Sequence, residues 1–267
     1  MNIKGLTKIL PGSKQNINRL DFISNHSDSI RIAVFGKYNH GKSTFLNAMV
    51  NSEVFKASDK RETTKNKEYL HDGVIWIDTP GLDADATGKD DREAMQGAFE
   101  LADFIFLVHR VDAGELDRSE MTLYRQLMKQ DSSYKNKLFL ILTCIDQVED
   151  LIADKTIEII RKQLVDLKSF PVSAVRYQKG VAGNKLIMIE KSGINTVFSQ
   201  IGLLNDHISG FRKKEIKRLK NKLKHELLDL NKSIDLEVVT VKYEMNREKK
   251  KVQDYFRKVI KQIEDLA

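Results

Sequence analysis

The chain has 267 residues, 41% hydrophobic and 31% charged, with a net charge of +7 and one cysteine. Its length exceeds the roughly 100–200 residues of one domain, which predicts a domain with an appendage. No apolar run approaches the ~18 residues of a membrane span, lone Cys144 excludes an internal disulfide, and no Cys/His spacing suggests zinc. No apolar stretch with a small-residue cleavage site follows Met1-Asn2-Ile3-Lys4-Gly5, so a cytoplasmic protein is expected.

Residues 1–29 are polar and punctuated by Pro11-Gly12, with Ser13 placed to cap a short helix through Ile17, Leu20 and Ile23. The apolar run Ile30–Phe35 predicts a buried strand. Gly36-Lys37-Tyr38-Asn39-His40-Gly41-Lys42-Ser43 follows it and fits GxxxxGK[ST], and Thr44–Met49 leaves it as a helix. A loop between strand and helix points backbone N–H groups at a phosphate, and the helix N-terminus adds favourable dipole charge. Gly36 and Gly41 permit close approach, Lys42 reaches the terminal phosphates, and Ser43 offers a hydroxyl to magnesium.

Further strands are predicted at 67–71, 74–77, 103–108, 138–142 and 170–173. The strand at 74–77 runs into Asp78-Thr79-Pro80-Gly81, where Asp78 can hold magnesium through water and the Gly81 N–H can face a γ-phosphate. Leu82–Asp91 lacks apolar periodicity and is read as a mobile second switch. The strand at 138–142 ends in Thr143-Cys144-Ile145-Asp146. A carboxylate at Asp146 can accept from the N1 and N2 hydrogens of guanine, a contact adenine cannot make. Phe170-Pro171-Val172-Ser173-Ala174 closes the series, with the Ala174 N–H facing the guanine carbonyl oxygen.

Between the strands, helical periodicity occurs at Leu116, Leu123 and Leu127 and at Ile157, Ile160 and Leu164. Strands alternating with helices predict a mostly parallel six-stranded sheet covered on both faces, an α/β fold. Tyr177–Lys185 reads as a loop, and Ile194, Val197, Ile201 and Leu204 mark the last helix of the domain.

With four such motifs in this order, residues from about Ile30 to Leu204 resemble the P-loop GTPases of the Ras-like superfamily. Within it, the Asn39–Ala48 run and the helical extension resemble bacterial dynamin-like proteins, with the Era and MnmE group next. The resemblance implies magnesium-dependent hydrolysis of GTP, raised when G domains pair as a homodimer. It places the nucleotide on Gly36, Asn39, His40, Gly41, Lys42, Ser43, Thr44, Asp78, Gly81, Thr143, Asp146, Ser173 and Ala174, and magnesium on Ser43, Asp78 and a switch Thr. That Thr falls on Thr64, or on neighbouring Thr63; the other reading of the pair is entry into the edge strand around Lys67–Leu70. Asn39, Lys42 and Thr64 are the candidate catalytic residues.

Two departures from the pattern stand out. Cys144 replaces the Lys usual in the base-recognition motif, which removes a stem that packs on base and ribose. Leu82 stands where Ras-type enzymes carry a water-orienting Gln, and Tyr38 stands where dynamin carries one. Asn39 matches the Asn that holds a potassium ion in MnmE-type enzymes, where a monovalent cation offsets developing charge on the phosphates. The other reading of Asn39, a loop residue bonding its own backbone, stays open.

Three segments follow: 1–29 as an N-terminal helical piece, 30–204 as the G domain, and 205–267 as a basic amphipathic extension. Ile216, Leu219, Leu223, Leu227, Leu230, Ile234, Val238, Val241, Met245, Val252, Tyr255, Val259, Ile263 and Leu266 recur at mostly three- and four-residue steps, without Pro or Gly after Gly210. One long helix, or two hinged near Val238–Val241, fits that spacing. Residues 205–267 carry 17 Lys and Arg against 11 Asp and Glu, so the basic character belongs to the tail. The apolar stripe calls for a helical partner, coiled-coil fashion, while anionic lipid or RNA contact remains the alternative for the basic face. Other readings are an Era-like RNA- or ribosome-associated GTPase and a nucleotide-gated interaction protein with negligible turnover.

Overall fold

A computed structural model of the chain describes residues 3–26, 29–55, 67–79, 99–130, 136–165 and 167–265, and the statements below concern those residues. In chain order they form α1 (Ile3–Ile9), a 3-10 turn (Pro11–Ser13), α2 (Lys14–Asn25), β1 (Ile30–Gly36), α3 (Lys42–Met49), β2 (Lys67–His71) and β3 (Val74–Asp78). Then come β4 (Phe104–Arg110), a 3-10 turn (Val111–Ala113), α4 (Arg118–Gln130), β5 (Leu138–Thr143) and α5 (Asp150–Gln163). The chain finishes with β6 (Lys168–Pro171), α6 (Ala174–Ala182), α7 (Leu186–Glu190) and α8 (Ile194–Glu264). It divides into two compact units, one of residues 18–216 and one of residues 1–17 with 217–267.

The larger unit is the expected α/β layer. Its six strands lie in the order β2-β3-β1-β4-β5-β6. Only β2 runs antiparallel, joined to β3 by the two-residue Asp72-Gly73 turn; the other pairs are parallel. Strands β1 and β5 are buried throughout and β4 nearly so, as parallel strands covered on both faces must be. Successive side chains alternate between the faces. Ile30, Ile32 and Val34 of β1 therefore join Phe45, Trp76, Phe106, Ile141 and Val197 in one cluster, while Ala33 and Phe35 join Ile77, Leu107, Leu140, Ile157 and Ile160 in the other. Each fully buried Ile or Phe contributes about 1.5–3 kcal/mol, so two such layers give the sheet its rigidity.

A buried ion network closes the edge of this layer opposite the phosphate-facing loops. Asp103, just before β4, is wholly buried between Arg19 of α2 and Arg212 of α8. Arg19 also pairs with Glu215 at 3.0 Å, and Glu215 pairs with Lys137 beside β5. The partners are far apart in sequence, and no local pattern announces them.

Two expectations are corrected. The last strand ends at Pro171 rather than at 173, because Ser173 caps α6, accepting from the Arg176 N–H at 3.0 Å. The stretch Tyr177–Lys185, read as a loop, is largely helical: α6 runs to Ala182, and Gly180 lies close against Ile189 of α7. In the smaller unit the Ser13 hydroxyl donates to Glu226 at 2.5 Å. In that unit Leu219 and Leu223 are buried, whereas Leu236, Tyr243, Met245, Tyr255, Phe256 and Ile263 are exposed. Helix α8 continues through Val238–Val241 without a hinge.

Candidate functional site

The phosphate loop leaves β1 where two glycines are needed. At Gly36 a Cβ would lie 2.4 Å from the Val108 carbonyl oxygen, so only Gly lets β1 and β4 stay paired here. Gly41 is the N-cap of α3 with φ +81°, a left-handed conformation costly for other residues. The N-terminus of α3 thus opens at Lys42, Ser43 and Thr44 with its unbonded N–H groups directed at the loop. Lys42 is buried and its ammonium donates to the carbonyls of Gly36 at 3.0 Å and Lys37 at 2.9 Å. The loop is thereby wrapped around a positive charge. Asn39, at its exposed tip, is held at φ +58°, and its carbonyl accepts from Arg110 at 3.1 Å.

Beside it, β3 pairs with β1 so that Asp78 lies opposite Val34. The Asp78 carboxyl is buried, and burial pushes it up to about 6 against the opposing pull of Lys42 and Lys67. A desolvated carboxylate close to the Lys42 ammonium, with a serine hydroxyl in the first turn of α3, is an oxygen donor set that fits a hard divalent cation such as magnesium. The Thr79 hydroxyl donates to the Val34 carbonyl at 2.8 Å and fastens the strand ends together.

On the other side of β1, β4 and β5 carry the base-reading loop. The Thr143 hydroxyl donates to the His40 carbonyl at 2.7 Å, so this loop and the phosphate loop are directly tied. Cys144 follows in a left-handed conformation at φ +60° and Asp146 is half-exposed, with one carboxylate oxygen accepting from Gln147 at 3.1 Å. Ser173 is fully buried, and Ala174 begins α6, where its N–H has no partner within the helix. The carboxyl ends of β1, β3, β5 and β6 therefore bring Gly36, Asn39, His40, Gly41, Lys42, Ser43, Thr44, Asp78, Thr143, Asp146, Ser173 and Ala174 to one edge of the sheet. Thr63, Thr64, Gly81, Leu82 and the second switch Leu82–Asp91 lie outside the described residues.

Several residues around this edge carry no sequence motif of the expected kind. Arg110, the last residue of β4, grips the loop tip through Asn39 and is itself fixed by Asp112. Lys37 pairs with Asp117, which caps α4: Asp117 accepts from the Glu120 N–H at 3.0 Å, and Glu120 accepts from the Asp117 N–H at 3.1 Å. This reciprocal capping box, Asp117-Arg118-Ser119-Glu120, was the signal available in the sequence. Glu120 is also buried against His109 of β4, whose Nδ1 lies 2.8 Å from its carboxylate and whose Nε2 lies 2.9 Å from the Gly114 carbonyl. Two acceptors facing the two ring nitrogens favour the imidazolium form of His109. Burial opposes that charge, but the bonds to Glu120 and Gly114 outweigh it and raise the group above its ordinary range. Burial instead brings the nearby His40 imidazole down to about 4, which keeps it neutral.

Residues 31–144 match the family described as 50S ribosome-binding GTPase. An uncharacterized protein of Acinetobacter baylyi is 36% identical over 226 residues, covering 84% of this chain and 54% of that protein. GTPase Era of Lactobacillus delbrueckii subsp. bulgaricus is 31% identical over 122 residues, 44% of this chain and 39% of Era. The chain thus spans about half or less of the length of these relatives. Among solved structures, one of an oligomerised bacterial dynamin pair that senses and tethers membranes aligns over 97% of this chain and 50% of its own, with a TM-score of 0.55 and 16% identity. That likeness shows a shared fold. The phosphate loop between β1 and α3, the strand order and the family match together establish that this chain carries a P-loop GTPase domain.

Proposed function

We propose that the chain binds guanine nucleotide with magnesium and hydrolyses GTP to GDP and phosphate, slowly alone and faster when two G domains pair. The observation that carries this reading is the convergence of Lys42, Asp78, Asp146 and Ala174 on the carboxyl edge of one parallel sheet, on loops tied by the Thr143–His40 bond. In it, Lys42 and the N–H groups opening α3 receive the phosphates, and Asp146 accepts from the guanine edge while the Ala174 N–H donates to its carbonyl oxygen. Ser43 and Asp78, with Thr64 or Thr63, would hold Mg2+, which supplies neutralisation of charge on the phosphates. Asn39, at the loop tip beside Arg110, is the residue for a potassium ion.

Leu82 occupies the place of a water-orienting Gln, and in this reading a second copy completes the surroundings of the reacting phosphate. The exposed apolar side chains of α8 are read as the seat of a helical partner. A second reading, contact with RNA or the ribosome through the basic residues 205–267, is favoured by the family match and the likeness to Era. Sedimentation with anionic liposomes and with RNA at two salt concentrations separates lipid from RNA contact, because phosphate contacts weaken steeply with salt.

The decisive test is Lys42→Ala. It removes a phosphate-binding charge and two loop hydrogen bonds, so fluorescent-GDP binding should disappear while circular dichroism stays unchanged. Micromolar binding retained by the folded variant would refute the assignment.

A further inference from the structure

Beneath the phosphate loop lies a cluster that joins His40, a residue of that loop, to two side chains outside the expected nucleotide site. His40, His109 and Glu120 come from the loop, the end of β4 and the first turn of α4, and are 9%, 1% and 3% exposed. One ligand atom from each lies within 4.8 Å of the other two. The two imidazole rings stand 5.2 Å apart at 79°, edge to face.

The Nδ1 atom of His40 is the telling one. It is buried, has no hydrogen-bond partner, and sits 3.4 Å from Oε1 of Glu120. An orphaned buried nitrogen beside a carboxylate is costly unless something bridges them. That same oxygen is 2.8 Å from Nδ1 of His109, so three donor atoms surround one point. Their supports are those of a metal centre. The remote Nε2 of His109 is held by the Gly114 carbonyl, which orients the ring, and the second oxygen of Glu120 is held by the Asp117 N–H at 3.1 Å. Two imidazoles and a carboxylate form the three-ligand set of an open tetrahedral zinc site, with a fourth position for water.

We propose that His40 Nδ1, His109 Nδ1 and Glu120 Oε1 bind a divalent transition-metal ion, Zn2+ fitting the donor set best. On binding, the Nδ1 proton of His109 leaves to solvent and its bond to Glu120 is replaced by two bonds to the ion. The ion fastens the phosphate loop to β4 and α4. It is separate from magnesium at the nucleotide, which takes oxygen donors on the Asp78 side of β1.

The test uses the full chain, stripped with chelator and dialysed without nucleotide against Zn2+ or Co2+ in excess Mg2+. The bound ion is counted by mass spectrometry and the cobalt form is read by visible absorption. One retained ion per chain and a tetrahedral cobalt spectrum are expected. Glu120→Gln and His109→Gln, which keep the volume of the cluster, should each weaken Zn2+ by at least the roughly 10–100-fold that losing even an outer partner brings. The exposed His207→Gln should leave binding unchanged. Failure of the unmutated chain to retain a stoichiometric ion would overturn the site even if a cluster variant misfolds. So would retention unaltered by both cluster variants, leaving His40, His109 and Glu120 a hydrogen-bonded cluster only.

Discussion

Asp103 and Arg212 lie 109 residues apart and meet in a bidentate pair, with Arg212 Nε 3.0 Å from Oδ1 and Nη2 2.6 Å from Oδ2. The carboxylate is shared: Arg19 Nη2 also donates to Oδ1 at 2.8 Å, and the Arg31 backbone N–H donates to Oδ2 at 3.0 Å. One buried anion thus gathers α2, α8 and β4, and charge-assisted bonds of this kind are the strong ones.

Removing that anion leaves the buried Arg212 without a carboxylate partner and Arg19 with Glu215 alone. Asp103→Ala should lower stability by about 3–5 kcal/mol, seen as a shift of the urea midpoint. An unshifted midpoint would mean that the helices hold to the sheet by packing alone.

Acid should act on the same network. Burial alone would lift the Glu215 carboxyl, but Lys137 and Arg19 outweigh it and bring it from its ordinary 4.5 down to about 2. A carboxylate lowered in the folded state contributes stability that is full above pH 4.5 and is lost as pH falls towards 2. The contribution is on the order of 3 kcal/mol. Melting temperature should fall steeply through that window in the natural chain, and Glu215→Gln should flatten the fall while lowering stability at neutral pH.

Base choice rests on Asp146. Asp146→Asn should weaken GDP binding by about 1–3 kcal/mol or more, because two guanine donors lose their acceptor. Xanthine nucleotides, which carry an oxygen in place of the exocyclic amine, should bind the variant better than guanine nucleotides do. Competition titrations measure both, and equal affinity of the unmutated chain for GTP and ATP would refute the assignment.

Turnover tests the loop tip. If Asn39 holds a monovalent ion, GTP hydrolysis should be faster in potassium than in sodium at equal ionic strength, and the specific rate should rise with protein concentration. Asn39→Ala should abolish the salt difference and spare GDP affinity. Equal rates in both salts would leave Asn39 as a left-handed loop residue positioned by Arg110.

Much of the fold was legible because its signals are local. Ile30–Phe35 and Leu138–Leu142 are apolar runs that only a strand buried on both faces explains, and the glycine spacing of the phosphate loop follows from a Val108 oxygen that leaves no room for a Cβ. Legibility failed where two local readings competed. At Ser173 the β-branched and aromatic residues before it suggested strand, but its hydroxyl served better as a helix cap, and the following Tyr177–Lys185 lost its loop character with it. It failed again where the partners are distant in sequence. His40, His109 and Glu120 show no metal-ligand spacing, and Arg19, Asp103 and Arg212 belong to three separate elements; only the folded sheet brings either set together.

The alternation along β1 has a consequence for how such a chain can vary. Ile32 and Val34 face one core and Ala33 and Phe35 the other, while the next residue opens the phosphate loop. Adding or deleting a single residue in β1 would exchange its two faces and turn the loop away from α3. A change of length within β1 would therefore disturb both cores and the site at once, whereas a longer connection beyond the sheet would disturb neither.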